Sequence, residues 1–170
     1  MAGHQLILSL GGNLGNKAEI FAETLDLIQK DIGDIQLVSP VYETPPWGFE
    51  AAGLFWNQVI LVKTGLNPAE VLLAIRDIES HFGRERQPGR YLSRKMDIDI
   101  LFYDNLVLQT DELTIPHPLM ASRRFVLAPL ADVVPDLIHP VSGLTVSRML
   151  EVCEDKLLVV RLASTGNVSG

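Results

Sequence analysis

Asp97 and Asp99 interrupt an alternating apolar run, Lys95-Met96-Asp97-Ile98-Asp99-Ile100-Leu101-Phe102-Tyr103, and few folds can accommodate that run. On a strand, residues two apart point to one face, so both carboxylates look the same way, with stems roughly 6–7 Å apart. Met96, Ile98, Ile100 and Phe102 then fill the other face. Two acids on a sheet strand are costly unless something cationic sits between them. The segment just before them carries Arg84, Arg86, Arg90, Arg94 and Lys95. The economical reading is a divalent metal held by the two aspartates, with a polyphosphate between the metal and the arginines. The plainer alternative is a strand end with solvated aspartates beside a solvated basic loop.

Charge distribution sharpens the choice. The net charge of −7 argues against nucleic acid or an anionic membrane as the main partner, because both reward a basic surface. Yet five of the fourteen Lys and Arg residues fall between Arg84 and Lys95. An acidic chain that is basic in one place suits a compact polyanionic ligand. At 170 residues, with 47% of them hydrophobic, the chain is long and apolar enough for one domain, taken as 1–170, with a real core. No apolar run reaches the length of a membrane span, and Met1-Ala2-Gly3-His4 has no basic start followed by an apolar stretch. A cytoplasmic location is expected. The single Cys153 excludes an internal disulfide and a cysteine zinc site, and its apolar neighbours make it a core filler.

Element signals run through the chain in a clear order. Gln5 to Leu10 reads as a strand, followed by a helix from Lys17 to about Ile32 with Asn16 as N-cap and Gly33 as stop. Its apolar stripe is Phe21, Leu25, Ile28 and Ile32. Ile35 to Glu43 is a second strand broken by Pro40, and Phe55 to Lys63 a third. Asn67, Pro68 and Glu70 start a second helix with a capping box, and Gly83 ends it. After the aspartate strand, Asp104-Asn105 reads as a hairpin turn into Leu106 to Gln109. Helices are expected around Ser122 to Ala131 and Val146 to Val152, a last strand at Leu157 to Leu162, and a frayed tail from Thr165 to Gly170. The β-α-β-β-α-β order predicts an α/β (α+β) ferredoxin-like split βαβ sandwich, its sheet mostly antiparallel, with helices on its faces.

Several side chains could do chemistry. Phe55 and Asn57 share a strand face, so they offer either an aromatic plate beside an amide, fit to stack and read a flat heterocycle, or core packing with a turn-forming Asn. Trp47, in the Pro/Gly loop after Thr44 and Pro45, is hard to explain as core. Gly11-Gly12-Asn13-Leu14-Gly15-Asn16 reads as a tight strand-to-helix turn more readily than as a phosphate cradle, lacking the Lys-Ser/Thr of a P-loop. Glu79 and Arg76 lie on the second helix, where charges usually face solvent. His117, between two prolines, either donates to a phosphate or ends a loop. Arg123 and Arg124 start a helix, where a cation opposes the dipole unless an anion is near. No nucleophile–base pair is apparent, which disfavours covalent catalysis.

Taken together, Thr44-Pro45-Pro46, Phe55 to Asn57, Gly83-Arg84 through Arg94, Asp97-Ile98-Asp99-Ile100-Leu101 and Pro116-His117 resemble the 6-hydroxymethyl-7,8-dihydropterin pyrophosphokinase family of folate biosynthesis, over about Leu6 to Val160. That family transfers the terminal diphosphate of ATP to the pterin hydroxymethyl group and releases AMP. The resemblance implies that Asp97 and Asp99 hold two magnesium ions against the triphosphate. It implies a pterin between Phe55 and Phe125, its edge read by Asn57 and the Thr44-Pro45 backbone, with Trp47 closing over it. It assigns Glu79, Arg84, Arg90, Arg94, Ile100, His117 and Arg123 to the ATP side, with Arg84 and Arg94 also stabilising charge during transfer. The implied partners are ATP and hydroxymethyldihydropterin, with no nucleic acid, no membrane, and a monomer or weak homodimer. This chain has Tyr91-Leu92-Ser93-Arg94 where family members often carry Trp-Gly-Pro-Arg, Pro118 where many have another side chain, and Gly12 where a serine is common. Two other readings compete. A non-catalytic RNA-binding sheet is opposed by the acids and the net charge, and a kinase moving one phosphate would release ADP instead of AMP.

Overall fold

Asn16 and Asn67 each convert an extended segment into a helix by accepting a backbone hydrogen from the first turn, Asn16 from Glu19 and Asn67 from Glu70. At the second site Glu70 returns the bond, accepting from the Asn67 amide at 2.9 Å, so the capping box is complete. In the computed structural model, which describes residues 3–45, 54–83 and 95–162, these caps open α1 (Lys17–Asp31) and α2 (Pro68–His81). The helices alternate with β1 (His4–Gly12), β2 (Asp34–Val38), β3 (Tyr42–Thr44), β4 (Phe55–Thr64) and β5 (Asp97–Tyr103). The expected segments at 46–48, the basic loop from 84 to 94 and the tail from 165 to 170 lie outside the described residues.

Strands β5, β1 and β4 run side by side, and β4 pairs on its far side with both β2 and β3. All of these pairings are antiparallel, which is the split βαβ sheet expected from the element order. Pro40 divides β2 from β3. The ladder is carried to that break by Ser39, whose amide donates to Val59 O and whose hydroxyl accepts from Val59 N, both at 2.9 Å. Beyond β5 the chain forms β6 (Leu108–Gln109) and β7 (Thr114–Ile115), then α3 (Arg124–Val133), α4 (Val146–Val152) and β8 (Val160–Arg161). The last strand is shorter than the expected Leu157 to Leu162, and it pairs with β3.

The sheet has a core on each face. Leu6, Leu8, Leu10, Ile98 and Ile100 pack with Phe21 and Ile28 of α1 and with Ile75 and Ile78 of α2. Ile7, Val59, Leu101 and Phe102 pack on the other face with Leu127 and Leu130 of α3 and with Met149 of α4 and Cys153. Phe102 therefore does not share a face with Ile98 and Ile100. Ile7 pairs with Phe102 but Leu8 with Ile100, so Leu101 is an extra residue that reverses the alternation. The Asp104-Asn105 turn also departs from expectation. Asp104 has a left-handed φ of 49°, and Leu106 N donates to Tyr103 O, but the next strand pairs with β7 in a separate two-stranded sheet.

Gly33 ends α1 for a reason other than a left-handed backbone. A Cβ there would lie 2.3 Å from Lys63 O, because the α1–β2 corner presses on the backbone of β4. Backbone cannot move aside as a side-chain tip can. Gly33→Ala is predicted to destabilise the fold by about 1–3 kcal/mol, the usual cost of overpacking. Chemical denaturation checks this, and an unchanged midpoint would contradict the tight corner.

Candidate active site

One cross-strand row organises the site. Directly opposed residues on antiparallel strands point to the same face. Asp97 of β5 opposes Gly11 of β1, Gly11 opposes Asn57 of β4, and Asn57 opposes Tyr42 of β3. One row inward, Asp99 opposes Ser9 and Ser9 opposes Val59, which belongs to the core under α3. One row outward, Phe55 opposes Thr44. Both aspartates, Asn57, Thr44 and Phe55 thus share the α3 face, beyond the end of its apolar cluster. Gly11 leaves a shallow floor between the acid and the amide, since a Cβ there would touch Asn57 Oδ1 at an ordinary 3.5 Å. Adjacent strands lie about 4.8 Å apart, so Asp97 and Asn57 stand about 10 Å apart across that floor.

Each side chain is held from behind. Asn57 is buried and donates through Nδ2 to Thr44 Oγ1 at 3.0 Å, which fixes its rotamer. Trp56 points to the opposite face, edge-on to Phe21, with its Nε1 donating to Glu43 Oε2 at 3.1 Å. Of the adjacent aromatics, Phe55 is therefore the one on the site face. Among the described strands β5 is at the edge of its sheet, with β1 on one side only. Glu79 of α2, only 1% exposed, supplies one acceptor: its Oε2 takes the Ile98 amide at 2.9 Å. Arg76 faces solvent, so of Arg76 and Glu79 only Glu79 reaches the aspartate strand.

His117 and Arg123 approach from the α3 side. The His117 amide donates to Leu101 O at 3.0 Å, tying the segment after Pro116 to β5. Its Nδ1 accepts from Leu119 N at 3.1 Å, which assigns the ring proton to Nε2. Burial, helped by nearby Arg123 and opposed by Asp97, pushes its pKa down to about 4. Arg123 stands at the N-cap position of α3 with its guanidinium 5.7 Å from the Phe125 ring centroid. Arg124 belongs to the scaffold. Asp155 accepts from its backbone N at 3.0 Å, and its Nε donates to Asp155 O at 2.9 Å. Asp155 is the anion that offsets the cation at the head of α3.

A cleft of about 220 Å³ runs along the outer side of β5, lined by Asp99, Ile100 and His117 together with Leu72, Glu112 and Thr114. The last three were not singled out from sequence. They sit on α2 and in the β6–β7 hairpin without a motif, and only the fold brings them to β5. Trp47, Arg84, Arg90 and Arg94 lie outside the described residues, while Pro45 follows Thr44 at the end of β3. Among the described residues no group of three or more His, Cys, Asp or Glu could hold a metal by itself. The acids at hand are the Asp97–Asp99 pair, a donor set suited to a hard cation that also takes oxygens from a ligand.

Comparison with known proteins follows the same lines. Residues 7–135 match the family model of 7,8-dihydro-6-hydroxymethylpterin-pyrophosphokinase. The 2-amino-4-hydroxy-6-hydroxymethyldihydropteridine pyrophosphokinase of Aquifex aeolicus is 37% identical over 134 residues, covering 79% of this chain and 82% of the relative. The folic acid synthesis protein FOL1 of Dictyostelium discoideum is 39% identical over 149 residues, covering 87% of this chain but only 22% of that longer protein. Among solved structures, Plasmodium falciparum HPPK-DHPS with pteroate superposes with a TM-score of 0.72 at 20% identity, covering 87% of this chain and 42% of that one, a likeness of fold. By sequence over most of its length, this chain belongs to the 7,8-dihydro-6-hydroxymethylpterin-pyrophosphokinase family.

Proposed function

We propose that the α3 face of the sheet is where the family's reaction runs in this chain: diphosphate transfer from ATP to the hydroxymethyl group of 6-hydroxymethyl-7,8-dihydropterin, releasing AMP. The observation that carries the reading is the shared row. It aligns a carboxylate, an empty glycine position and a fixed amide, with Phe55 one row outward and Phe125 on the facing helix. A flat heterocycle stacked between the two phenylalanines would present its edge to Asn57 and the Thr44-Pro45 backbone. Its hydroxymethyl group would then extend over Gly11 toward Asp97.

Asp97 and Asp99 would hold magnesium, two ions by family resemblance, with phosphate oxygens and water completing each shell. Magnesium there supplies charge neutralisation of the polyphosphate. Everything else falls to the chain. The cleft beside Ile100 takes the nucleoside end of ATP, and Glu79 keeps the aspartate strand straight by accepting from Ile98. His117 donates through Nε2 to a phosphate as a neutral imidazole, and Arg123 adds the positive charge. Arg84, Arg90 and Arg94, with Trp47, are assigned by resemblance to the phosphates and to closure over the pterin. The pterin hydroxyl attacks the β-phosphorus in line, and AMP leaves. Catalysis is positioning plus charge stabilisation, with no covalent intermediate. By family resemblance the chain works as a monomer or weak homodimer. No helix among the described residues is long and apolar enough to cross a membrane.

Two measurements test this reading. Incubation with ATP, magnesium and hydroxymethyldihydropterin, followed by nucleotide chromatography, is predicted to give AMP; ADP would mean transfer of a single phosphate. Asp97→Asn and Asp99→Asn keep the side-chain shape but lose the charge. Each is expected to lower turnover by about 10²–10³-fold with the fold intact. Near-normal turnover in either would refute the metal assignment.

A further measurement concerns His117. Its imidazole titrates at about 4 when folded, against 6.5 ordinarily, so between those values the unfolded chain binds more protons. The stabilisation from keeping it neutral is full above pH 6.5 and is lost as pH falls toward 4. Proton NMR of the free protein should show the His117 ring neutral at pH 5, and His117→Asn should flatten the acid side of the stability profile. A ring that titrates near 6.5 would remove the neutral donor.

A further inference from the structure

Strand β3 is three residues long, yet it carries Thr44, the partner of Asn57. Something outside the site must hold it. Tyr42, two residues earlier on the same face and 7% exposed, reaches across to α3, where its hydroxyl donates to Asp132 Oδ2. The same hydroxyl accepts from Arg161 Nε at 3.2 Å, and Arg161 Nη2 donates to Asp132 Oδ1 at 2.9 Å. Arg161 also lies with its guanidinium 5.8 Å from the Tyr42 ring centroid, and it opposes Tyr42 in the β3–β8 pairing. Three elements meet at this one phenol. Burial first, and then the bond to Asp132, push the Tyr42 hydroxyl above its ordinary value of 10, so it keeps its proton and donates at neutral pH.

The placement bears on the site in two ways. Tyr42 opposes Asn57 in the row that also contains Gly11 and Asp97. Asp132 lies seven residues after Phe125 on α3, two helical turns along the same side. A bond from Tyr42 to Asp132 therefore ties the strand that fixes Asn57 to the helix that carries Phe125. Arg161 comes from outside residues 7–135, the region matched by the family model.

We propose that Tyr42, Asp132 and Arg161 are positioning residues for the pterin, setting the gap between Phe55 on the sheet and Phe125 on α3 and holding Thr44 against Asn57. This rests on the pterin lying between those phenylalanines. The triad acts mainly on the pterin, because the ATP cleft along β5 lies three strands from β3, with β4 and β1 between.

Steady-state kinetics on the full chain, varying pterin and ATP separately, test it. Phe55→Ala serves as the control for the pocket itself. Tyr42→Phe and Asp132→Asn are near-isosteric and are expected to raise the pterin KM about 10-fold, the scale of one lost buried hydrogen bond. ATP KM and kcat should stay within about twofold to threefold. Arg161→Ala, at a side chain more than half exposed, should raise the pterin KM by a smaller factor, and Arg161→Lys should recover part of it. Lower thermal stability with both KM values unchanged, or both KM values rising together, would make the triad purely structural and overturn the proposal. If Phe55→Ala leaves the pterin KM unaltered, the pocket reading fails and takes this proposal with it. A selective loss for Phe55→Ala alone sinks only the triad.

Discussion

The register of β5 against β1 governs the rest of the molecule. Asp97 opposes Gly11 and Asp99 opposes Ser9, while Ile98 and Ile100 turn into the cluster under α1 and α2. A slip of one residue would drive both carboxylates into that cluster and put two isoleucines on the site face. Burying an unpaired carboxylate costs several kcal/mol, so the wrong register is strongly disfavoured. The same alternation that builds the core thus delivers two acids to one open face. Glu79 reinforces it from the side by accepting the Ile98 amide that an edge strand leaves without a neighbour.

From that register the site follows by geometry. Gly11 lies between Asp97 and Asn57, and the absence of a side chain keeps the floor open between a place for charge and a place for a flat ring. The apolar cluster on the α3 face extends as far as Val59 and Leu101, and in the rows beyond it Asp97 and Asp99 are only partly buried. His117 and Arg123 reach those rows from the chain that leads into α3. In the proposed reading a half-buried neutral imidazole and a guanidinium are complementary there: one donates a hydrogen bond without adding charge, and the other adds charge. In the proposed reading, metal, polyphosphate and heterocycle take places along this single surface.

Local signals were read well and distant ones were not. Asn67 with Glu70 announces its helix because a capping box is built within four residues. The facing of Asp97 and Asp99 is a matter of parity along one strand. Phe102 defeated that parity, because the bulge at Leu101 arises from pairing with β1, nearly a hundred residues earlier. The strand after Asp104-Asn105 pairs with β7 rather than folding back on β5, because a turn signal does not say which strand receives the chain. Glu79 looked like an ordinary helix charge until the edge of β5 was brought beside it. The bonds of Tyr42 to Asp132 and Arg161 span 90 and 119 residues, and no periodicity or motif marks them.

The central claim is that polyphosphate and metal gather at Asp97, at the end of the row that crosses Gly11 to Asn57, and at Asp99 one row inward. Substituting manganese for magnesium in the presence of a non-hydrolysable ATP analogue makes the site visible to NMR, because the ion broadens nearby backbone signals. The account predicts strongest broadening at Asp97, Ile98, Asp99, Ser9 and Gly11, weaker effects at Asn57, and loss of the pattern in Asp97→Asn. Broadening centred on any other part of the chain, or unchanged in that variant, would contradict it.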